Sequence, residues 1–373
     1  MEKAIDMLAI GDVVIDAFIR LKDASVHCRL DNEDCEICMK WGDKIPYEFA
    51  EIVPAVGNSA NAAVSAARLG LNASLRAYVG DDIYGDDCLN SLKKDGVDTS
   101  YIEKSPGKHT NYHYVLWYES QRTILVKHET FDYQVPNLSE GPKWLYLSSL
   151  GENSLMYHHA LMDKLKEWKN TKLAFQPGTY QMKMGLDALK GVYERADIFF
   201  CNKEEAERIL NLPAGSDMKD LLKTMQATGP KIVVITDDNR GAYAVEENGA
   251  MWHVPRYPDP RTPYEITGAG DALASTTVAA LILGKPLGEA IQWGATNASS
   301  VLQGIGAQKG LLTREELEKN LHNPPGAPTV QDLPSAWNIR TLFVDRCLER
   351  FNNRIHSISG FNHEHRCKKS TGA

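Results

Sequence analysis

The chain has 373 residues, 43% hydrophobic and 24% charged, with a formal net charge of −8. That length holds one large α/β domain or two smaller ones, and the acidic balance argues against general binding to nucleic acid. No apolar run reaches membrane-span length, and Met1-Glu2-Lys3-Ala4-Ile5-Asp6 carries acids and leads straight into a strand, so a soluble cytoplasmic protein with no membrane contact is expected.

Met7 to Ile19 is apolar and β-branched, broken by Gly11, Asp12 and Asp16. It reads as a buried strand running into a second extended segment. Residues 22–48 then carry His27-Cys28, Cys35 and Cys38. Three thiolates and an imidazole are enough for a tetrahedral structural zinc site; the bland alternative is ordinary loop cysteines. The seven cysteines otherwise read as reduced thiols, since a chain this long needs no disulfide scaffold. Asn58 to Leu69 is alanine-rich and ends at Gly70, a closely packed helix with its glycine stop. Leu75–Val79 is a strand, followed by Gly80-Asp81-Asp82 and a helix to about Lys94. Asn111–Tyr118 and Thr123–His128 alternate about Glu119-Ser120-Gln121-Arg122, as the arms of a β-hairpin do about its turn. Trp144–Ser148, Lys172–Gln176, Ile198–Cys201 and Ile232–Thr236 are strands alternating with helices, the sign of a parallel sheet covered on both faces. Ala272–Leu283 and about Leu287–Leu302 are helices. Asn323-Pro324-Pro325-Gly326-Ala327-Pro328 is a linker or loop. The tail from Ser335 has seven basic and three acidic residues, and Ile339, Leu342, Phe343, Leu348, Phe351 and Ile355 fall at helical spacing. A short amphipathic helix is expected there.

Thr267-Gly268-Ala269-Gly270-Asp271 stands directly before the apolar helix. Two glycines let the backbone aim its N–H groups at one point. The helix start adds partial positive charge. Together they form a hole for an anion, such as the charge that grows on a migrating phosphoryl group. A carboxylate in the first turn, Asp271, can take the proton of an attacking hydroxyl. The plain alternative is a glycine-rich turn capped by an aspartate. No Walker A sequence, GxGxxG or protein-kinase catalytic loop is present.

From about residue 5 to about residue 320 the chain resembles the ribokinase/PfkB carbohydrate kinases. Glu265-Ile266-Thr267-Gly268-Ala269-Gly270-Asp271 is similar to the family's D-T-x-G-A-G-D. The resemblance implies Asp271 as catalytic base and Gly268, Ala269 and Gly270 as anion hole. Val56-Gly57-Asn58-Ser59-Ala60-Asn61 resembles G-G-N/K-x-A-N, which implies that Gly57, Asn58 and Asn61 hold substrate hydroxyls. Gly11-Asp12-Val13-Val14-Ile15-Asp16 matches the first strand, with Asp16 accepting bonds from two sugar hydroxyls. Gly80-Asp81-Asp82 and Gly85 match a G-D-D-x-x-G element read as structural. Asn202-Lys203-Glu204-Glu205 matches N-x-x-E, which implies that Asn202 and Glu205 organise Mg²⁺; alone it reads as a helix cap with an acidic first turn. Thr236 to Gly241, Thr267 and Asn297 would serve ATP, with Gly306-Ala307 near adenine.

The implied fold is a three-layer α/β/α ribokinase-like domain, residues 1–322, with a mostly parallel central sheet. A small β-sheet lid comes from about 17–53 and 108–128, and 323–373 form an extension. The implied activity is transfer of the ATP γ-phosphate to a ribose- or fructose-type sugar. An adenosine-type nucleoside is the alternative acceptor; Tyr112, Tyr114 and Trp117 either stack on a base or form lid core. A homodimer through the lid follows from the same resemblance. Val56, Asp238, Glu265 and Ile266 depart from the pattern. Val56 and Asp238 favour a non-catalytic sugar or nucleotide sensor, while Glu265 and Ile266 put a monovalent cation in doubt.

Overall fold

A computed structural model describes residues 4–28, 35–119, 121–322 and the backbone of 339–341. Its main sheet has ten strands. In spatial order they are Ile339–Thr341, Met251–Val254, Ala242–Val245, Ile232–Thr236, Ile198–Asn202, Lys172–Phe175, Trp144–Leu147, Met7–Ile10, Ala73–Gly80 and Ile102–Ser105. The run from Ile232–Thr236 to Ile102–Ser105 is parallel throughout. Ala242–Val245 pairs antiparallel with both its neighbours, Ile232–Thr236 and Met251–Val254. Met7–Ile10 and Trp144–Leu147 are buried at every position, as strands covered on both faces must be.

Two apolar clusters fill the layers on either side. One gathers the helices Asn58–Arg68, Ala269–Ile282 and Leu287–Val301; the other gathers Leu155–Glu167 and Met218–Ala227. Small residues let the first group pack closely. A Cβ on Gly294 would lie 2.5 Å from the Leu273 carbonyl oxygen, so only glycine permits that approach.

A second sheet, the lid, orders its strands Tyr47–Val56, Val14–Leu21, Asn111–Tyr118 and Gln121–Leu125. Arg122 therefore lies in a strand rather than in the hairpin turn. Along Asn111–Tyr118 the odd positions Asn111, Val115 and Trp117 are buried, while Tyr114 is exposed. Phe18, Val115, Trp117 and Ile305 form a small core under the lid.

The zinc expectation is corrected here. Ser25–His27 and Glu36–Cys38 pair antiparallel, and Cys28 and Cys35 at their ends are joined in a disulfide. Each of these sulfurs has spent its valence on the other, so neither is the thiolate that zinc needs. Cys38 remains a free thiol. The same bond corrects the reading of these two cysteines as reduced. In the tail, the helix expected from Ile339 begins instead as a strand at Ile339–Thr341, and positions 323–338 and 342–373 lie outside the described residues.

Candidate active site

Parallel sheets collect ligands at the carboxyl ends of their strands, and Gln176, Asn202 and Thr236 stand at such ends. Gly268 has φ 81° and ψ 1°, a left-handed conformation that glycine enters freely. A Cβ at this position would lie 2.3 Å from the Cβ of Ala307. The turn feeds the helix Ala269–Ile282, in which Ala272 N–H donates to the Gly268 carbonyl at 2.8 Å. The N–H groups of Ala269, Gly270 and Asp271 precede that bond and have no place in the helical ladder. Gly270 borders open space, since a Cβ there would meet nothing within 4 Å. Behind the turn stands the buried carboxylate of Glu265. The Thr267 N–H donates to its Oε1 at 2.7 Å, the Thr267 hydroxyl donates to the same oxygen, and the Gly306 N–H donates to Oε2 at 3.1 Å.

Asp271 is held by three side-chain amides. Asn58 and Gln176 donate to Oδ1 at 3.0 and 2.9 Å, and Asn61 donates to Oδ2 at 2.8 Å. Two of these amides are themselves oriented. Gln308 donates to Asn61 Oδ1 at 2.9 Å, and the Tyr146 hydroxyl donates to Gln176 Oε1. Burial raises the Asp271 carboxyl above the usual aspartate value, and the three amide bonds oppose that rise. Asn58 and Asn61, expected to face substrate hydroxyls, thus face the carboxylate in this state. Gly57, with φ 111°, packs so that a Cβ would come within 2.8 Å of the Asp12 carbonyl oxygen.

On the lid side, Asp16 Oδ1 lies 3.3 Å from His113 Nδ1. Asp16 Oδ1, His113 Nε2 and His128 Nδ1 are all buried without a hydrogen-bond partner, the condition of polar groups awaiting a ligand. Asp12 accepts from the Tyr133 hydroxyl at 2.8 Å and lies 3.4 Å from His128 Nδ1. A cavity of about 300 Å³ opens beside His128, lined also by Gly151, Asn153 and Tyr180.

The nucleotide side divides. Asn202 and Thr236 are register partners on neighbouring strands. Asn202 caps the following helix: its Oδ1 accepts from Glu205 N–H at 2.7 Å, while Glu205 Oε2 accepts from Asn202 N–H at 2.9 Å. Burial, with Asp271 nearby, raises the Glu205 carboxyl. Gly241, with φ 93°, closes a turn so tight that a Cβ would lie 2.3 Å from the Val254 carbonyl oxygen. Asp238 in that turn is exposed. Asn297 does not reach this site. It is fully buried, donates to Thr276 Oγ1 at 2.8 Å and accepts from Leu312 N–H at 2.9 Å, so it braces two helices instead. The G-D-D-x-x-G segment is structural: Asp82 accepts from Gly85 N–H and from both the N–H and hydroxyl of Thr110.

Tyr146, Gln308, His113, His128 and Arg122 are additions that sequence reading did not single out. Gln176 was visible at a strand end but had no assigned partner.

A family model for pfkB family carbohydrate kinases matches residues 54–314. The 5-dehydro-2-deoxygluconokinase of Bacillus subtilis (strain 168) is 24% identical over 335 residues, covering 85% of this chain and 96% of that protein. The ribokinase of the same organism is 25% identical over 289 residues, covering 76% and 92%. Among solved structures, the Methanocaldococcus jannaschii nucleoside kinase superposes with a TM-score of 0.69 at 19% identity, covering 86% of this chain and 99% of that one. That last likeness shows a shared ribokinase fold.

Proposed function

Because the chain belongs to the pfkB family of carbohydrate kinases and is thus a phosphotransferase acting on hydroxyl groups of sugars or nucleosides, we propose that its acceptor is a free sugar of ribose or fructose type. The single observation that carries the mechanism is the carboxylate of Asp271, aimed by three amides beside the unpaired N–H groups of a helix start. Asp16, with a buried oxygen lacking a hydrogen bond, takes hydroxyls of the sugar. The reacting hydroxyl gives its proton to Asp271. Its oxygen bonds to the γ-phosphorus of ATP as the bond to the ADP oxygen breaks. The amides at 268–270 take the charge on the phosphoryl oxygens. Three donors on Asp271 oppose the rise that burial imposes and fix the carboxylate, so the base is oriented before the acceptor arrives.

Mg²⁺ fits this donor set. Glu205 offers a buried carboxyl raised partly by the charge of Asp271, a repulsion that a divalent cation relieves. One or two carboxylates plus substrate phosphates are the usual holders of Mg²⁺. When bound, it would neutralise phosphate charge.

A nucleoside acceptor is the second reading, favoured by the aromatic Tyr180 in the cavity beside His128. Tyr112 and Tyr114 do not serve it. Tyr114 stands one step out of phase with His113 and so projects from the other face of the lid. Trp117 is 4% exposed and belongs to the lid core.

We also propose that a second copy of the chain covers the outer lid face. No helix among the described residues is long and apolar enough to cross a membrane. Use of ATP supports a cytoplasmic site of action, where the exposed Cys28–Cys35 disulfide would be open to reduction.

The test is ATP turnover against ribose, fructose, sugar phosphates and nucleosides, with Asp271→Asn alongside. Neutral sugars are expected to turn over fastest. Asp271→Asn is expected to lower kcat by about 10³- to 10⁴-fold while leaving the ATP Kd within about threefold. Turnover confined to nucleosides would transfer the assignment to the second reading, and an active Asp271→Asn would remove the base.

A further inference from the structure

Arg122 comes from the lid hairpin, yet its guanidinium ends inside the kinase body. It pairs with Glu265, and the two side chains are only 11% and 1% exposed. Glu265 is the residue on which the anion-hole turn rests. The Oε1 that receives the N–H and hydroxyl of Thr267 is also the one that Arg122 meets, and Oε2 holds Gly306. Thr267 leads directly into Gly268, which is wedged against Ala307. The guanidinium also feels the charge of Asp16. The lid makes further contacts with the same region. Trp117 meets the ring of Tyr264 edge-on at 5.3 Å, and Ile305 belongs to the lid core.

A carboxylate buried this deeply is costly unless a cation answers it. Among the described residues the cation that answers Glu265 is supplied by the lid. The brace of the anion hole and the cover of the acceptor site therefore share one side chain. We propose that Arg122 is a positioning residue for phosphoryl transfer: through Glu265 it holds the Thr267–Gly268 turn in register with an acceptor bound at Asp16, so that the anion hole is complete only while the lid is down. The inference rests on the kinase reading above for its consequence but not for its geometry.

The first experiment needs no substrate. Amide hydrogen exchange is compared in the full-length wild type, Arg122→Met and the milder Arg122→Lys. Exchange at Thr267 and Gly306, the two N–H groups bonded to Glu265, is expected to quicken by about tenfold or more in Arg122→Met and by less in Arg122→Lys. The core strand Met7–Ile10 should be unchanged, which shows that the variants are folded. Equal exchange at both amides in all three proteins overturns the proposal, whether or not the protein is active. Faster exchange in a protein that phosphorylates no acceptor retains the brace and defeats the kinase reading instead.

Kinetics then separate positioning from binding. Arg122→Met is expected to lower kcat by about 100-fold with acceptor and ATP KM within about threefold. Glu265→Gln should cost a similar factor, and the double variant no more than either single one, because both remove the same brace. A loss lying wholly in acceptor KM, or two losses that multiply, would make Arg122 a substrate contact and overturn the positioning role.

Discussion

The Asp271 carboxyl is subject to two opposed effects. Burial favours its protonated form, while Asn58, Asn61 and Gln176 donate to the charged form. Its affinity for a proton in the folded protein is raised on balance, so the base is lost as pH falls through that raised value. The acid limb of kcat/KM should lie above that of an ordinary aspartate. Gln176→Leu removes one donor at 2.9 Å without touching the anion hole. It should move the acid limb to still higher pH, with the plateau rate reduced far less than in Asp271→Asn; a pH–rate profile of the two proteins is the check. A limb that stays in place, or moves down, would mean that Gln176 does not tune the base. The sequence shows Asp271 and its glycines because they are contiguous and their chemistry is local. It does not show the cage. Gln176 and Asp271 are 95 positions apart, and Gln308 and Asn61 are 247 apart. A glutamine at a strand end has no local signature that names its partner. Asn297 misleads for the converse reason: a buried amide satisfied by Thr276 and Leu312 looks, in sequence, like one facing a ligand.

Elements were easier to read than the links between them. Apolar runs identify the parallel strands, and the small-residue stretches identify the two helices that carry Asn58 and Asp271. The lid hairpin is visible from its alternation, yet the alternation does not say which face meets the kinase body. Pairing settles it, because Asp16 stands opposite His113 and Ala17 opposite Tyr114. The Cys28–Cys35 bond was missed because spacing alone cannot distinguish thiolates gathered for a metal from a clasp on a short hairpin. The packing of one element against another makes a sharper prediction at Gly268. Alanine there would bear a left-handed backbone costing ~1–2 kcal/mol, and its Cβ would lie 2.3 Å from that of Ala307. Gly268→Ala should lower kcat by about 100-fold through a displaced anion hole. Adding Ala307→Gly removes the nearest contact but leaves the Cα of residue 307 at 2.6 Å, and the backbone cost with it. The double variant should therefore recover part of the loss and remain about tenfold below wild type. No recovery would mean that the dihedral and the approach of the backbone at 307, and not the Ala307 methyl, set the turn.

At the scale of the whole molecule the lid is a sheet with two unlike faces. The inner one packs on Ile305. The outer one runs across all four strands through Ile52, Ala17, Tyr114 and Leu125. Ile52, Tyr114 and Leu125 are 58%, 48% and 52% exposed. An apolar row of this length is unusual on a monomer's surface, and a symmetric partner would bury the same row twice. Size limits how firmly. Four strands about 4.8 Å apart, of 10, 8, 8 and 5 residues and so about eight on average at about 3.3 Å each, give a face of roughly 500 Å². A stable interface needs about 800 Å² from each partner. The lid alone should therefore support a dimer that dissociates on dilution, and the weight-average sedimentation coefficient should rise with protein concentration across the micromolar range. Tyr114→Arg sets one cation against its symmetry mate at the centre of that face and should hold the protein monomeric over the same range. Arg122 and Asp16 are untouched by this change, so the monomer should still bind ATP and acceptor. A wild type that sediments as a monomer at every concentration would leave the outer face to some other partner and end the dimer proposal.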